Sequence, residues 1–269
     1  MNEEKQSVIS MLYGGKIEVK FFPESHIYYI NGVRNTGVTT YIGIKDKSRP
    51  LILWAIGLFR DYLYEKLPAG IDESHIEEGS RLHAVRKQQA ATIGDEAHKW
   101  ISAYIKGEKP EMPDDESVVI AINAFLDWGK KHKVKFISSE RIVYSKKYDY
   151  SGSLDFEAEV DGKLCLIDIK TGNELRNDVR MQTAAYLMAD KEESGKKHIG
   201  RWAVRLAKET EEEYIARMQK KNREALPYQV FEAKYLDEEK SDLDRDFEAF
   251  VSAMNLYRWD KITDFYQSK

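Results

Sequence analysis

The feature that most constrains the fold is a predicted β-hairpin between Ser153 and Lys170. Its two runs, SLDFEAEV and KLCLIDIK, are separated only by Asp161-Gly162. A two-residue Asp-Gly connection between alternating runs predicts a type I′ turn, because both central residues of that turn need positive φ. The register that this turn sets places Asp155 directly opposite Asp168.

The two faces of this hairpin differ in character, since side chains alternate along a strand. One face is apolar and is expected to pack in the core: Leu154, Phe156, Ala158, Cys165, Ile167 and Ile169. The other face is mostly polar: Ser153, Asp155, Glu157, Leu166, Asp168 and Lys170. Like charges directly opposed on two strands destabilise the pair. The opposed acids therefore indicate either a solvated face that tolerates them or a divalent cation between the two carboxylates.

The position of Lys170 favours the cation. It follows Asp168 by two residues and so lies on the same face of the strand. Mg²⁺ prefers oxygen ligands and takes one or two carboxylates together with waters and a phosphate. A lysine ammonium beside such an ion could hold a phosphate oxygen or the attacking water.

This arrangement resembles the active site of the PD-(D/E)XK nuclease superfamily, in which an Asp on one strand precedes (D/E)-x-K on the next. The matching residues are Asp155 and Asp168-Ile169-Lys170. The segment Gly152-Ser153-Leu154-Asp155 resembles the G-x-x-D of the RecB-type exonuclease branch, in its phage-type form. Gln182 and Tyr186 resemble that branch's Q-x-x-x-Y, and their spacing sets both on one helical face. Without the hairpin, this pair would indicate only an ordinary half-buried helix.

The resemblance implies an α/β fold with a central mixed β-sheet flanked by helices, a restriction-endonuclease-like core, with an N-terminal hairpin and helical additions. A length of 269 residues suits one large domain or two small ones. We expect a single nuclease domain over residues 1–269. Residues 1–90 would form the hairpin and helical region, and residues 94–269 the nuclease core.

The resemblance also implies site residues and a cofactor of one or two Mg²⁺ or Mn²⁺ ions. The implied metal ligands are the carboxylates of Asp155 and Asp168, the Ile169 carbonyl and His98. The implied catalytic residues are Lys170, Asp155, Asp168, Gln182 and Tyr186. Lys170 would orient or help to deprotonate the metal-bound water, and the last two would steady the site or contact the phosphate.

Two segments have the G-x-x-x-H spacing of the family's histidine ligand. They are Gly94 to His98 and Gly79 to His83. His98 is favoured because its helix continues as an amphipathic stripe, whereas His83 lies among basic residues and fits a DNA-facing surface. A lone inward histidine is also an ordinary core residue that forms a hydrogen bond.

The function that the resemblance implies is a metal-dependent deoxyribonuclease, an exonuclease acting in DNA recombination, repair or phage DNA processing. Its partners would be single- or double-stranded DNA and a recombination or phage protein. One alternative is a noncatalytic DNA-binding subunit with the nuclease fold, against which the intact Asp, Asp and Lys set argues. The other is a structure-selective endonuclease.

Composition restricts other possibilities. The formal net charge is −4, so any DNA contact must come from local basic clusters. Cys165 is the only cysteine, which excludes an internal disulfide and the four-cysteine iron-sulfur cluster of some RecB-type relatives. No run approaches the roughly 20 apolar residues of a membrane span, and the N-terminus lacks a signal pattern. We therefore expect a cytoplasmic protein without a membrane partner.

Elsewhere the pattern predicts a hairpin over residues 16–34, helices over 50–67, 72–106, 116–132 and 237–259, and strands over 134–144, 198–207 and 227–236. The helix from Pro50 is apolar on most sides, which predicts packing in the core. The long helix is expected to break at Thr92-Ile93-Gly94. Thr36 to Thr40 indicates a loop or an N-cap at Thr39 or Thr40. Glu140 matches an acidic position of the family, as outer support for the metal or as a plain strand carboxylate.

Overall fold

The computed structural model describes residues 7–196 and 200–262, and within them the chain forms nine strands and seven α-helices. The strands are β1 (Val8–Leu12), β2 (Ile17–Phe22), β3 (Ile27–Ile30), β4 (Val33–Asn35), β5 (Lys135–Ser145), β6 (Tyr150–Val160), β7 (Lys163–Lys170), β8 (Gly200–Leu206) and β9 (Phe231–Tyr235). The helices are α1 (Val38–Ile42), α2 (Ser48–Lys66), α3 (Glu73–Ile105), α4 (Glu116–Lys131), α5 (Asp178–Ser194), α6 (Glu211–Lys220) and α7 (Asp242–Ile262).

The first four strands form an antiparallel sheet in the order β1-β2-β3-β4. Its central pair confirms the predicted N-terminal hairpin, with a turn at Pro23–Ser25. The flanking strands β1 and β4 go beyond the prediction. Apolar side chains of this sheet pack against the far end of β5, at Ile142 and Tyr144. The N-terminal region is therefore joined to the rest of the chain through a shared apolar cluster.

The other five strands form a mixed sheet in the order β5-β6-β7-β8-β9, in which only the pair β7 and β8 is parallel. Helix α5 makes the crossover that a parallel pair requires. Helices α3 and α4 cover one face of this sheet, and α1, α5 and α7 cover the other. The expectation of an α/β fold with a mixed sheet flanked by helices is confirmed.

The hairpin register is confirmed. β6 pairs with β7 from Val160 opposite Lys163 to Phe156 opposite Ile167. The turn residues Asp161 and Gly162 have φ values of 49° and 79°. The paired ladder ends at Phe156 and Ile167, although both strands continue. The two strands therefore separate at the position of the predicted acid pair.

The predicted faces of the hairpin are confirmed in part. Five of the six expected core residues pack against α3 and α4: Phe156, Ala158, Cys165, Ile167 and Ile169. The prediction for Leu154 is wrong, because it is buried on the opposite side with Leu166. Strict alternation fails on β6 where it leaves β7, and Glu140, on the neighbouring strand β5, has a positive φ of 53°. The polar face is also not solvated, since α5 and α7 cover it and Glu157, Leu166 and Asp168 are at most 1% exposed.

Three helical predictions are wrong. α3 runs without a break through Thr92-Ile93-Gly94, so the expected boundary between residues 90 and 94 lies inside a helix. α1 begins at Val38 after Gly37, and Thr39 and Thr40 lie within the helix instead of capping it. No residue of α2 is buried, although its apolar sequence predicts core packing.

None of the helices within residues 7–196 and 200–262 has both the length and the apolar character of a membrane span.

Candidate active site

The candidate site lies where β6 and β7 separate. At this point one carboxylate oxygen of Asp155, Oδ2, accepts a hydrogen bond of 2.8 Å from the backbone N–H of Ile169. The side chain thus bridges the gap that the ended ladder leaves between the strands. A carboxylate that accepts a backbone N–H is held in one orientation, because both the distance and the angle of the bond restrict it. Asp155 is therefore fixed over the end of the hairpin.

Asp168 is the buried acid of the pair, with 1% of its surface exposed. Its Oδ2 lies 2.6 Å from Nζ of Lys170. Among the described residues, no group donates a hydrogen bond of good geometry to either carboxylate oxygen. Burial raises the pKa of Asp168, and the nearby charge of Asp155 raises it further, while Lys170 acts in the opposite direction. A buried carboxylate with so few donors needs a further positive charge to be stable in its ionised form.

Lys170 is the cation of the site, and its side chain is 36% exposed. Burial lowers the pKa of its ammonium group, but the charges of Asp168 and Asp155 raise the pKa by more, so that the net shift is upward. The group is therefore protonated at neutral pH. In this state Lys170 can donate to a phosphate oxygen or to a water, and it cannot accept a proton.

Of the two candidate histidines, the structure brings only His98 to the carboxylates. Its Nδ1 lies 3.8 Å from Oδ1 of Asp155, and its side chain is 34% exposed. His83 lies 15 residues earlier on the same continuous helix, which is about 22 Å along its axis. Its ring is exposed and contacts the Ser80 carbonyl of its own helix at 3.0 Å. Identical spacing in the sequence thus corresponds to very different positions.

A close approach that the sequence pattern does not reveal helps to position His98. A Cβ added to Gly94 would lie 3.0 Å from Oγ1 of Thr171, the residue that follows Lys170. A side chain at this position would require Thr171 to shift by a few tenths of an ångström, so glycine favours this close approach of α3 to the end of β7. Gly94 therefore acts as a contact point within α3, where the sequence predicts a helix break.

Gln182 and Tyr186 lie on α5 as expected for one helical face. Nε2 of Gln182 donates a hydrogen bond of 3.1 Å to the Tyr186 hydroxyl. Burial raises the pKa of the Tyr186 phenol well above its usual value, and the charges of Asp168 and Asp155 contribute to the shift. The phenol is therefore neutral and can donate a hydrogen bond of its own.

The G-x-x-D and Q-x-x-x-Y segments are in physical contact. A Cβ on Gly152 would lie only 2.3 Å from Cε1 of Tyr186 and 2.7 Å from its Cδ1. The aromatic ring therefore occupies the space that the missing side chain leaves on β6. Through this contact α5 is seated on the same strand that carries Asp155.

Glu140 is not directed toward the two carboxylates. Its side chain is 53% exposed and pairs with Nζ of Lys106 at 2.9 Å. Lys106 follows the last residue of α3, so the pair links the end of that helix to β5. This geometry agrees with the alternative of a plain strand carboxylate.

The residues present fit a hard cation that takes only a few of its ligands from the protein. Within residues 7–196 and 200–262 no three His, Cys, Asp or Glu side chains are grouped closely enough to form a metal cage. Mg²⁺ does not require one, since it commonly keeps several waters and binds one or two carboxylates. The observation that fits such an ion is the buried carboxylate of Asp168, which lies beside Asp155 and contacts only Lys170 among the described cations.

Neither a protein-family model nor a curated protein matches this chain. The chemistry of the site therefore rests on its geometry: two carboxylates at a strand separation, a protonated lysine against one of them, and a histidine beside the other.

Proposed function

We propose that this chain is a metal-dependent deoxyribonuclease that hydrolyses DNA phosphodiester bonds at the end of the β6–β7 hairpin. The observation that carries the proposal is the buried carboxylate of Asp168, which contacts the Lys170 ammonium and accepts no further hydrogen bond among the described residues. A structural ion pair alone would not need the second acid, Asp155, held rigidly beside it. A divalent cation would supply the positive charge that the two carboxylates lack, and a phosphate could then bind to the cation and to Lys170.

The carboxylates of Asp155 and Asp168, with the Ile169 carbonyl and His98, would hold one or two Mg²⁺ or Mn²⁺ ions. When bound, such an ion lowers the pKa of a coordinated water and neutralises charge on the phosphate. The restriction-endonuclease-like character of the core and its membership of the PD-(D/E)XK group belong to this same proposal.

Lys170 provides a fixed positive charge at the reacting phosphate. Without a metal, the two acids raise the pKa of its ammonium group, which favours the protonated form. A cation bound between the acids would offset this effect. Lys170 would then hold a phosphate oxygen, or would orient or help to deprotonate the metal-bound water.

Gln182 and Tyr186 act as positioning residues. The Tyr186 ring seats α5 on Gly152, three residues before Asp155, and Gln182 holds the hydroxyl of that ring. The substrate would be single- or double-stranded DNA with a free end, and the reaction that of an exonuclease in recombination, repair or phage DNA processing. A partner protein of that process and a cytoplasmic location complete the proposal.

The direct test is a time course on end-labelled linear duplex and single-stranded DNA with Mg²⁺, with Mn²⁺ and with EDTA. We expect cleavage that needs the metal, and a loss of about 100-fold or more for each of Asp155→Ala, Asp168→Ala and Lys170→Ala, the usual contribution of a fixed catalytic group. A matched control is Asp161→Asn, at the turn of the same hairpin and about 20 Å away along the strands. It should keep wild-type activity.

The outcomes separate the alternatives. No cleavage with either metal, or more than about a tenth of the wild-type rate in any two of the alanine variants, refutes the proposal. Binding of DNA without cleavage identifies the noncatalytic subunit. Cleavage of closed circular DNA at a rate equal to that of linear DNA identifies an endonuclease.

A further inference from the structure

Helices α2 and α3 form a hairpin that has no core of its own. No residue of α2 is buried, and in α3 only Gly79 is buried before Ala97. The side chains between the two helices are at most half-buried, with Phe59 against Gly79 at their centre. Most helix stability comes from tertiary packing of an apolar face, and two helices alone bury little. A two-helix arm of this kind is expected to complete its packing with another element.

An exposed apolar patch on this arm shows where the missing element would lie. On the side of α2 that points away from α3, its members are Leu53, Trp54, Ile56 and Tyr64, with exposed fractions between 40% and 66%. At roughly 150–200 Å² for a large apolar residue, they leave about 350–450 Å² of apolar surface open. That is within the range of the largest patch on a typical monomer, a size that often has a function. It is also close to the apolar part of a standard interface, which buries about 800 Å² per partner.

The outer stripe of α2, on the side away from α3, has a glycine at its middle. Leu53 lies four residues before Gly57, Trp54 lies three residues before it and Tyr64 lies seven residues after it, so all four share this stripe. No described atom lies within 4 Å of a Cβ built on Gly57. Glycine inside a helix destabilises it by roughly 0.5–1 kcal/mol relative to alanine. A second helix crossing closely at this point would account for it.

From these observations we infer that α2 is the contact surface of a homodimer, in which the α2 helices of two copies cross at Gly57. A two-fold axis through this crossing sets large side chains on both sides of each glycine, because Leu53 and Trp54 precede it and Tyr64 follows it. α2 carries three basic and two acidic residues, so two copies approach without strong repulsion. The two arms together form the four-helix arrangement in which bundles bury their apolar faces.

The apolar character of the patch decides between possible occupants. Nucleic acid would require a basic surface, since phosphate contacts dominate its affinity. The crossing also leaves the candidate active site at the end of the β6–β7 hairpin free, because the stripe points away from α3 and His98 lies on α3.

The first test is the molar mass in solution, by sedimentation velocity from about 0.1 to about 100 μM. Wild type should reach twice its chain mass of 31.3 kDa. Leu53→Glu should raise the dissociation constant at least about 30-fold, as expected for a central interface residue. Val33→Glu, on an exposed valine of β4, is the control and should leave it unchanged. Far-UV circular dichroism shows that each variant folds.

The second test locates the crossing. Gly57→Cys should form a disulfide-linked dimer under mild oxidation, whereas Val33→Cys should not, and the native Cys165 is buried. A wild type of 31.3 kDa at every concentration overturns the inference. A dimer that Leu53→Glu does not weaken overturns it as well. A dimer that Leu53→Glu dissociates, but in which Gly57→Cys forms no disulfide, overturns the crossing at Gly57.

Discussion

The contact between Gly152 and Tyr186 gives a quantitative test of how the site is assembled. In Gly152→Ala the new methyl carbon would lie 2.3 Å from Cε1 of the ring. Carbon atoms attract one another best at about 3.5–4.0 Å, so the overlap exceeds about 1 Å. The tyrosine is only 4% exposed and cannot turn outward without opening the core. Either the ring or the strand must move.

The expected loss of stability follows from two opposing effects. Overpacking of a well-packed core commonly destabilises by 1–3 kcal/mol, and this overlap belongs at the upper end, at about 3 kcal/mol. Removing a glycine from a strand recovers about 0.5–1 kcal/mol. The net decrease in the free energy of unfolding is therefore about 2 kcal/mol. For a chain of this size the melting temperature should fall by about 4–8 °C.

The assay is urea unfolding in EDTA, followed by fluorescence and circular dichroism, with coincidence of the two probes as the test of two-state behaviour. Gly129→Ala, inside α4, is the matched control, because its Cβ would lie at an ordinary 3.7 Å from Phe136 of β5. It should be neutral or stabilising by up to about 1 kcal/mol. Combining Gly152→Ala with Tyr186→Leu should show a coupling of at least about 1 kcal/mol. Equal stability of Gly152→Ala and wild type would refute the contact.

Two further predictions concern the acids and the histidines. In metal-free protein, the raised pKa of buried Asp168 means that its contribution to stability is present below its unfolded pKa of about 3.9 and is lost as pH rises through the folded value. Asp168→Asn should therefore melt at the same or a higher temperature than wild type in EDTA, and the difference should grow from about pH 5 to about pH 8. Added Mn²⁺ should raise the melting temperature of this variant less than that of wild type. A difference in EDTA that shrinks over this pH range would contradict the buried charge. His98→Ala should raise the Mg²⁺ concentration for half-maximal DNase activity by about 10-fold or more, whereas His83→Ala should leave it unchanged and only weaken DNA binding in a salt-dependent way. The reverse order would assign the ligand to His83.

The sequence alone was sufficient for the hairpin and its register. Alternation and the Asp161-Gly162 turn act between neighbouring residues, so their effect can be read without knowing what surrounds them. Local patterns also predicted the positions of most elements, whereas the mixed sheet flanked by helices was expected from the resemblance to a nuclease family.

The sequence could not distinguish His98 from His83, since both have the same local spacing. The continuous helix α3 and the close approach of Gly94 to Thr171 decide which ring reaches Asp155. This choice depends on contacts between residues 77 positions apart in the chain. No local pattern contains that information.

Burial was also decided only by the tertiary structure. The face of Asp168 is polar in sequence but covered by α5 and α7, whereas the apolar α2 is left exposed. Leu154 faces the opposite side from the one that alternation predicts, because β6 leaves its partner strand there. Local patterns determine where a chain turns and how its side chains alternate between the two faces of a strand. Whether a face is covered depends on the free energy of packing distant segments together, and that is settled only when the whole chain has folded.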